Sequence, residues 1–179
     1  MRKILFVVII AALASPLAAF AVGSSATEGP SAAQACKTER TAIGASAFKD
    51  LYGTIASKSN AFGKCVAQKA RARQKNHDGA VAACRAEQAD TSFATSHGGK
   101  TFDQFYGTGK GKNAFGKCVS GKAKASNQAD DKTTINAAKL CKSERAANPA
   151  AFKTKYGTNR NKSNAFGKCV SQKAKANSQ

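Results

Sequence analysis

The chain has 179 residues, and 29 Lys and Arg stand against 10 Asp and Glu, a formal charge of +19. That imbalance points to anionic partners, and the presence of 2 His leaves little for acid–base chemistry. There is no Trp, and alanine supplies much of the 42 % hydrophobic content, which excludes a large apolar core.

The N-terminus reads as a signal peptide over 1–21. Arg2 and Lys3 precede an apolar run at 4–14, Ser15-Pro16 breaks it, and Ala19-Phe20-Ala21 offers a small-x-small cleavage site. An uncleaved anchor is the alternative, but the run is short for a spanning helix. No later stretch is apolar enough to cross a bilayer. The expected product is therefore secreted or extracytoplasmic, with no transmembrane segment after cleavage. Cleavage removes Arg2 and Lys3 and no acid, so the product stays strongly cationic. Residues 22–30 read as a flexible linker.

Beyond it, one unit is used three times. The string N-A-F-G-K-C-V begins at Asn60, Asn113 and Asn164. Each copy has an earlier cysteine followed by a basic residue and a glutamate: Cys36 with Glu39, Cys84 with Glu87, Cys141 with Glu144. A Tyr-Gly-Thr lies between the two cysteines, at Tyr52, Tyr106 and Tyr156. A period of about fifty residues places repeat units at 31–76, 77–125 and 126–179, the second with an insertion near 92–99. Units this small usually need a staple. In an oxidising compartment equivalent units should bond equivalently, giving Cys36–Cys65, Cys84–Cys118 and Cys141–Cys169. Closing loops of about thirty residues contributes roughly 3 to 4 kcal/mol each.

Three elements are predicted in each unit. The first is a helix around the leading cysteine, with Ser31, Asp78 and Asp131 as N-caps. The second carries a Phe–Tyr pair four apart (Phe48 and Tyr52, Phe102 and Tyr106, Phe152 and Tyr156) on one helical face. It starts at Thr101 with a capping box to Gln104, or at Asn148-Pro149, and ends at Gly53, Gly107 or Gly157 in the left-handed position of a C-cap. The third starts at Asn60, Asn113 or Asn164 as N-cap, and its glycine (Gly63, Gly116, Gly167) suggests close packing by another backbone or ring. Polar stretches at 76–79 and 126–133 read as connectors. The fold class is all-α: three tandem, disulfide-stapled units of short helices, arranged as beads or a loose array.

The repeated aromatic rings are read as core rather than as stacking platforms for bases. Glu39, Glu87 and Glu144 lack a second acid nearby in the pattern, a poor start for acid–base catalysis. A neighbouring lysine is their expected partner, and their role stays open. No cysteine pair has zinc-ligand spacing, and His77 and His97 are not repeated. The run from Gly107 to Lys112 resembles a phosphate loop in composition but lacks its spacing. The expectation is a non-enzyme with no metal and no cofactor.

Placed charge remains. Lys64, Lys117 and Lys168 precede the second cysteine, and Lys69, Lys122 and Lys173 follow it by four. Arg71 extends the first series, matched by Lys124 and Lys175, while Lys58, Lys110, Lys112, Arg160 and Lys162 lie in the turns before the third helix. The expected function is multivalent binding of polyanions: a cell-envelope polymer, an acidic polysaccharide or an anionic surface, with nucleic acid not favoured over these. The alternatives are a spacer protein without a ligand and a cationic antimicrobial effector.

Overall fold

The computed structural model describes residues 29–176; the expected signal peptide at 1–21, residues 22–28 of the expected linker and residues 177–179 lie outside that range. Eight helices and no β-strand are present among the described residues. They are α1 (Ala32–Ile43), α2 (Ala45–Tyr52), α3 (Ala61–Ala89), α4 (Phe93–Ser96), α5 (Phe102–Tyr106), α6 (Ala114–Ala147), α7 (Pro149–Tyr156) and α8 (Ala165–Ala176). All six cysteines pair as the repeat predicts. Cys36–Cys65, Cys84–Cys118 and Cys141–Cys169 close loops of 29, 34 and 28 residues, with Cα–Cα separations of 6.1, 6.0 and 6.0 Å.

The expected connectors at 76–79 and 126–133 are helical instead. The third element of one copy runs without a break into the first element of the next, making the long helices α3 and α6. The reason is a polar seam between them. Asn76 Nδ2 donates to Asn127 Oδ1 at 3.0 Å and to Asp130 Oδ2 at 2.8 Å, and Asp131 accepts from Lys69 at 2.6 Å and from Arg73 at 3.1 Å. Partners ascend along α3 as they descend along α6, so the helices are antiparallel, and Cys84–Cys118 fits the same register. Polar residues that read as linker are the contacts of a helix pair. Gly79 has open space around it, and one glycine costs only about 1 kcal/mol in a helix of this length.

The antiparallel pair folds copy three back onto copy one. One core cluster contains Cys36, Phe48, Tyr52 and Cys65 together with Cys141, Phe152, Tyr156, Phe166 and Cys169. Ala137 and Ala138 of α6, fully buried there, leave room for neighbouring helices to approach closely. A second, smaller cluster surrounds Cys84–Cys118 with Phe93, Phe102, Val119 and three alanines. The Phe–Tyr pairs repeat closely, with ring centroids 5.0, 5.0 and 4.9 Å apart. Phe93, which has no counterpart in the other copies, stacks on His97 at 3.8 Å and packs within the insertion.

Several caps form as predicted. Ser31 with Gln34 and Thr101 with Gln104 make capping boxes, and Asn148 accepts from Ala151 N with proline following. Asp78 and Asp131 are not N-caps, because both lie inside the long helices. Gly53, Gly107 and Gly157 are extended rather than left-handed. Close approach explains the glycine: a Cβ on Gly53 or Gly157 would lie 2.5 Å from the Cβ of Lys58 or Lys162. The left-handed residues are those lysines, at φ 54° and 53°. Gly63 and Gly116 face open space, so close packing does not account for them; only Gly167 has a neighbour, Leu51 O at 3.6 Å.

The second cluster has few large side chains, so its staple matters most. Replacing Cys84 and Cys118 together with alanine should cost about 3 to 4 kcal/mol. Hydrogen exchange should quicken in 93–112 while α2 and α8 keep their protection; a uniform loss across the chain would contradict this division.

Candidate functional site

Each disulfide carries a carboxylate, a phenol and an ammonium group beside it. In copy one Tyr52 Oη donates to Glu39 Oε1 at 2.7 Å, and Lys69 Nζ lies 2.8 Å from Glu39 Oε2. In copy two Tyr106 donates to Glu87 at 2.8 Å and Lys122 reaches it at 2.8 Å. In copy three Tyr156 donates to Glu144 at 3.0 Å, with Lys173 at 3.1 Å and Lys155 at 2.8 Å. The meeting follows from helix geometry. Glutamate lies three residues after one cysteine and lysine four after the other. Side chains on a helix lean back toward its N-terminus, so both return to the level of the bridge. In copy two the Cys118 sulfur is 3.8 Å from Glu87 Oε2.

The three sites differ in burial. The Glu39 side chain is 1 % exposed, while those of Glu87 and Glu144 are 29 % and 30 % exposed. Copy one is sealed by α6, whose Asp131 gives Lys69 a second carboxylate. Burial disfavours the charge on Lys69, but Glu39 and Asp131 outweigh it and raise its pKa. Burial and the Glu39 charge together push the Tyr52 phenol far up, so it remains a neutral donor. Burial would raise Glu87, yet Lys122 and Tyr106 lower it on balance. The hydrogen bond from Lys155, aided by Lys173 and Tyr156 against the desolvation that would raise it, lowers Glu144 from 4.5 to about 2.

The predicted anion-binding residues therefore separate into two sets. Lys69, Lys122 and Lys173 face inward onto glutamates. Lys58 turns onto Asp50, which Arg145 also holds at 2.6 Å. Lys64, Arg71, Lys110, Lys112, Lys117, Arg160 and Lys168 are exposed, and among the described residues none of them pairs with a carboxylate; Lys162 is half-buried and likewise has no carboxylate partner. Lys64 and Arg71, Lys117 and Lys124, and Lys168 and Lys175 are each seven apart on one helix, so each pair shares a face.

The turns that carry the loop lysines are braced. Asn60 and Asn164 do not cap their helices; each Oδ1 accepts from the backbone N of Thr54 or Thr158 at 3.1 Å, and each Nδ2 donates to that threonine's hydroxyl at 2.7 Å. In copy two the turn is one residue shorter and closes through a bridge between Thr108 and Lys112. Between the turns of copies one and three lies an open cleft of about 1050 Å³. Sequence reasoning missed this cleft and the link from tyrosine to glutamate. The fixed rank of Glu, Tyr and Lys in every copy was the available signal for the second; nothing local signals the first. No group of His, Cys, Asp and Glu among the described residues is arranged to hold a metal ion. Compared with known proteins, the chain matches no protein-family model, no curated protein and no solved structure.

Burial sets the cost of breaking each triad. Lys69→Met strands a buried carboxylate and should cost about 3 to 5 kcal/mol. Lys173→Met leaves Glu144 with Lys155 and water and should cost about 0 to 1 kcal/mol. Chemical denaturation of the two variants gives the comparison, and equal losses would refute it.

Acid provides a second test. The folded pKa of Glu144 lies below its ordinary 4.5, so its contribution is complete above that pH and is lost as pH falls toward about 2. Glu87 is lowered as well, so it works in the same direction. Denaturation midpoints should fall between pH 4.5 and 2, and Glu144→Gln should flatten part of that slope.

Proposed function

We propose that this chain is an exported, non-enzymatic protein that binds anionic polymers through cations displayed by three linked units. The observation that carries the reading is the division of its lysines. The inward set neutralises the repeated glutamates, leaving pairs at matching ranks of every copy exposed and, among the described residues, without a carboxylate partner. A coat serving solubility alone would intersperse both signs. Three disulfides suit an oxidising compartment, and no helix among the described residues is long and apolar enough to cross a membrane.

Repetition adds avidity, because once one unit is bound the others act at high effective concentration. Catalysis has little support in the triads, where carboxylate, phenol and ammonium groups satisfy one another. Glu39 in particular is enclosed.

Chromatography on heparin–agarose tests the proposal. Affinity should fall steeply with salt, and Lys64→Gln, Lys117→Gln and Lys168→Gln combined should reduce the log–log salt slope by about three times the single-contact value of roughly 0.7 to 0.9. Elution at low ionic strength, unchanged by the three substitutions, would favour a spacer without a ligand.

A further inference from the structure

We infer that the cleft between the turns of copies one and three is a binding site for a stretch of acidic polysaccharide, an inference that rests on the polyanion reading and names its ligand class. The cleft exists because α6 folds copy three onto copy one, and neither copy forms it alone. Its lining combines amides (Gln68, Asn161), hydroxyls (Thr134, Ser171) and ammonium groups (Lys58, Lys168). Among the described residues the side chains of Gln68, Thr134 and Ser171 make no hydrogen bond, and that of Asn161 uses only its Oδ1, accepting from Ser163 N at 3.2 Å. These groups pair donors with acceptors, as the vicinal hydroxyls of a sugar require.

Charge in the cleft favours an anionic sugar over a neutral one. Lys168 has no carboxylate partner among the described residues, while Asp50, also in the wall, is neutralised by Lys58 and Arg145. The cleft continues past Tyr52 and Gln68 into a smaller recess of about 250 Å³. There Asp131 is matched by Lys69 and Arg73, and Asp130 accepts from Asn76, so the anionic ligand is held in the larger cleft and not in the recess. A single strand of nucleic acid would need exposed rings for its bases. The ring at this site, Tyr52, is 6 % exposed, and Phe105, the most exposed large ring, belongs to copy two. The side-chain locks from Asn60 to Thr54 and from Asn164 to Thr158 fix both walls before binding, which lowers the entropy cost of association.

Calorimetry on the full oxidised chain tests the site, with hexagalacturonate as probe and maltohexaose and a thymidine oligonucleotide of matched charge as comparators. Hexagalacturonate should bind more tightly than either. Ser171→Trp, which fills the cleft, and the milder Gln68→Ala should each weaken it by about tenfold, the loss expected for one or two hydrogen-bonding groups. Heparin is itself an acidic polysaccharide and the cleft shares Lys168 with the exposed cations, so retention on heparin–agarose should fall only in part in both variants and stay salt-sensitive through Lys64, Arg71, Lys117 and Lys124. Circular dichroism and a thiol assay establish that each variant is folded and oxidised. If hexagalacturonate binds both variants as it binds the parent, or the oligonucleotide binds more tightly and is also displaced by Ser171→Trp, the assignment of the cleft is overturned. In either case intact salt-sensitive retention on heparin keeps the broader reading, and its absence in the parent removes that reading too.

Discussion

Three sulfur bridges tie four helices in series, α1 to α3, α3 to α6 and α6 to α8, and the rest of the structure depends on that lacing. A chain with a formal charge of +19 pays a repulsive cost for becoming compact. Its helices offer mainly alanine to one another, and alanine buries little area. The bridges limit the unfolded chain instead, which is how small domains with thin cores reach adequate stability. Each long helix holds two cysteines, one from each of two copies, so every bridge lies within a copy and the continuous helices connect one copy to the next.

The bridges also determine where charge can be satisfied. Glutamate and lysine reach back to the same disulfide from opposite helices, and tyrosine donates from the short helix between them. One geometry recurs in three environments. In copy one α6 covers the site and adds Asp131; in copy three Lys155 joins an open site; in copy two the triad keeps its minimum of three members. Solvent access, rather than the identity of the triad, distinguishes their energetic weight.

The repeat made the bridges and the Phe–Tyr pairs legible in the sequence, because rank within one copy fixes each, and local spacing did the same for the Ser31 cap and the Thr101–Gln104 capping box. The helical boundaries were less legible. Asn76, Asn127 and Asp130 have the composition of a connector, and their helical role comes from meeting each other across 51 to 54 residues. The asparagines that open the third element look like N-caps, yet the side chains of Asn60 and Asn164 brace the preceding turn, and Asn113 is left-handed with no side-chain cap bond. A local pattern cannot distinguish those two partners. Rank within the repeat shows recurrence and not direction, so it groups the inward lysines with the outward ones. Helical phase separates them: Lys69 lies four from Cys65, on the bridge-facing side, whereas Lys64 and Arg71 do not.

The antiparallel pairing of α3 and α6 changes what repetition accomplishes. Units on flexible linkers would each sample space independently, and their avidity would depend on linker length. Here continuous helices and a shared core hold copies one and three against each other, so their exposed cations keep fixed spacing. Copy two sits at the other end of the helix pair with its own cluster. A rigid array presents fewer arrangements to a polymer but loses less entropy on binding. On the proposed polyanion reading, such a surface would discriminate among polyanions by their charge spacing, whereas a flexible cationic chain would respond mainly to their charge density.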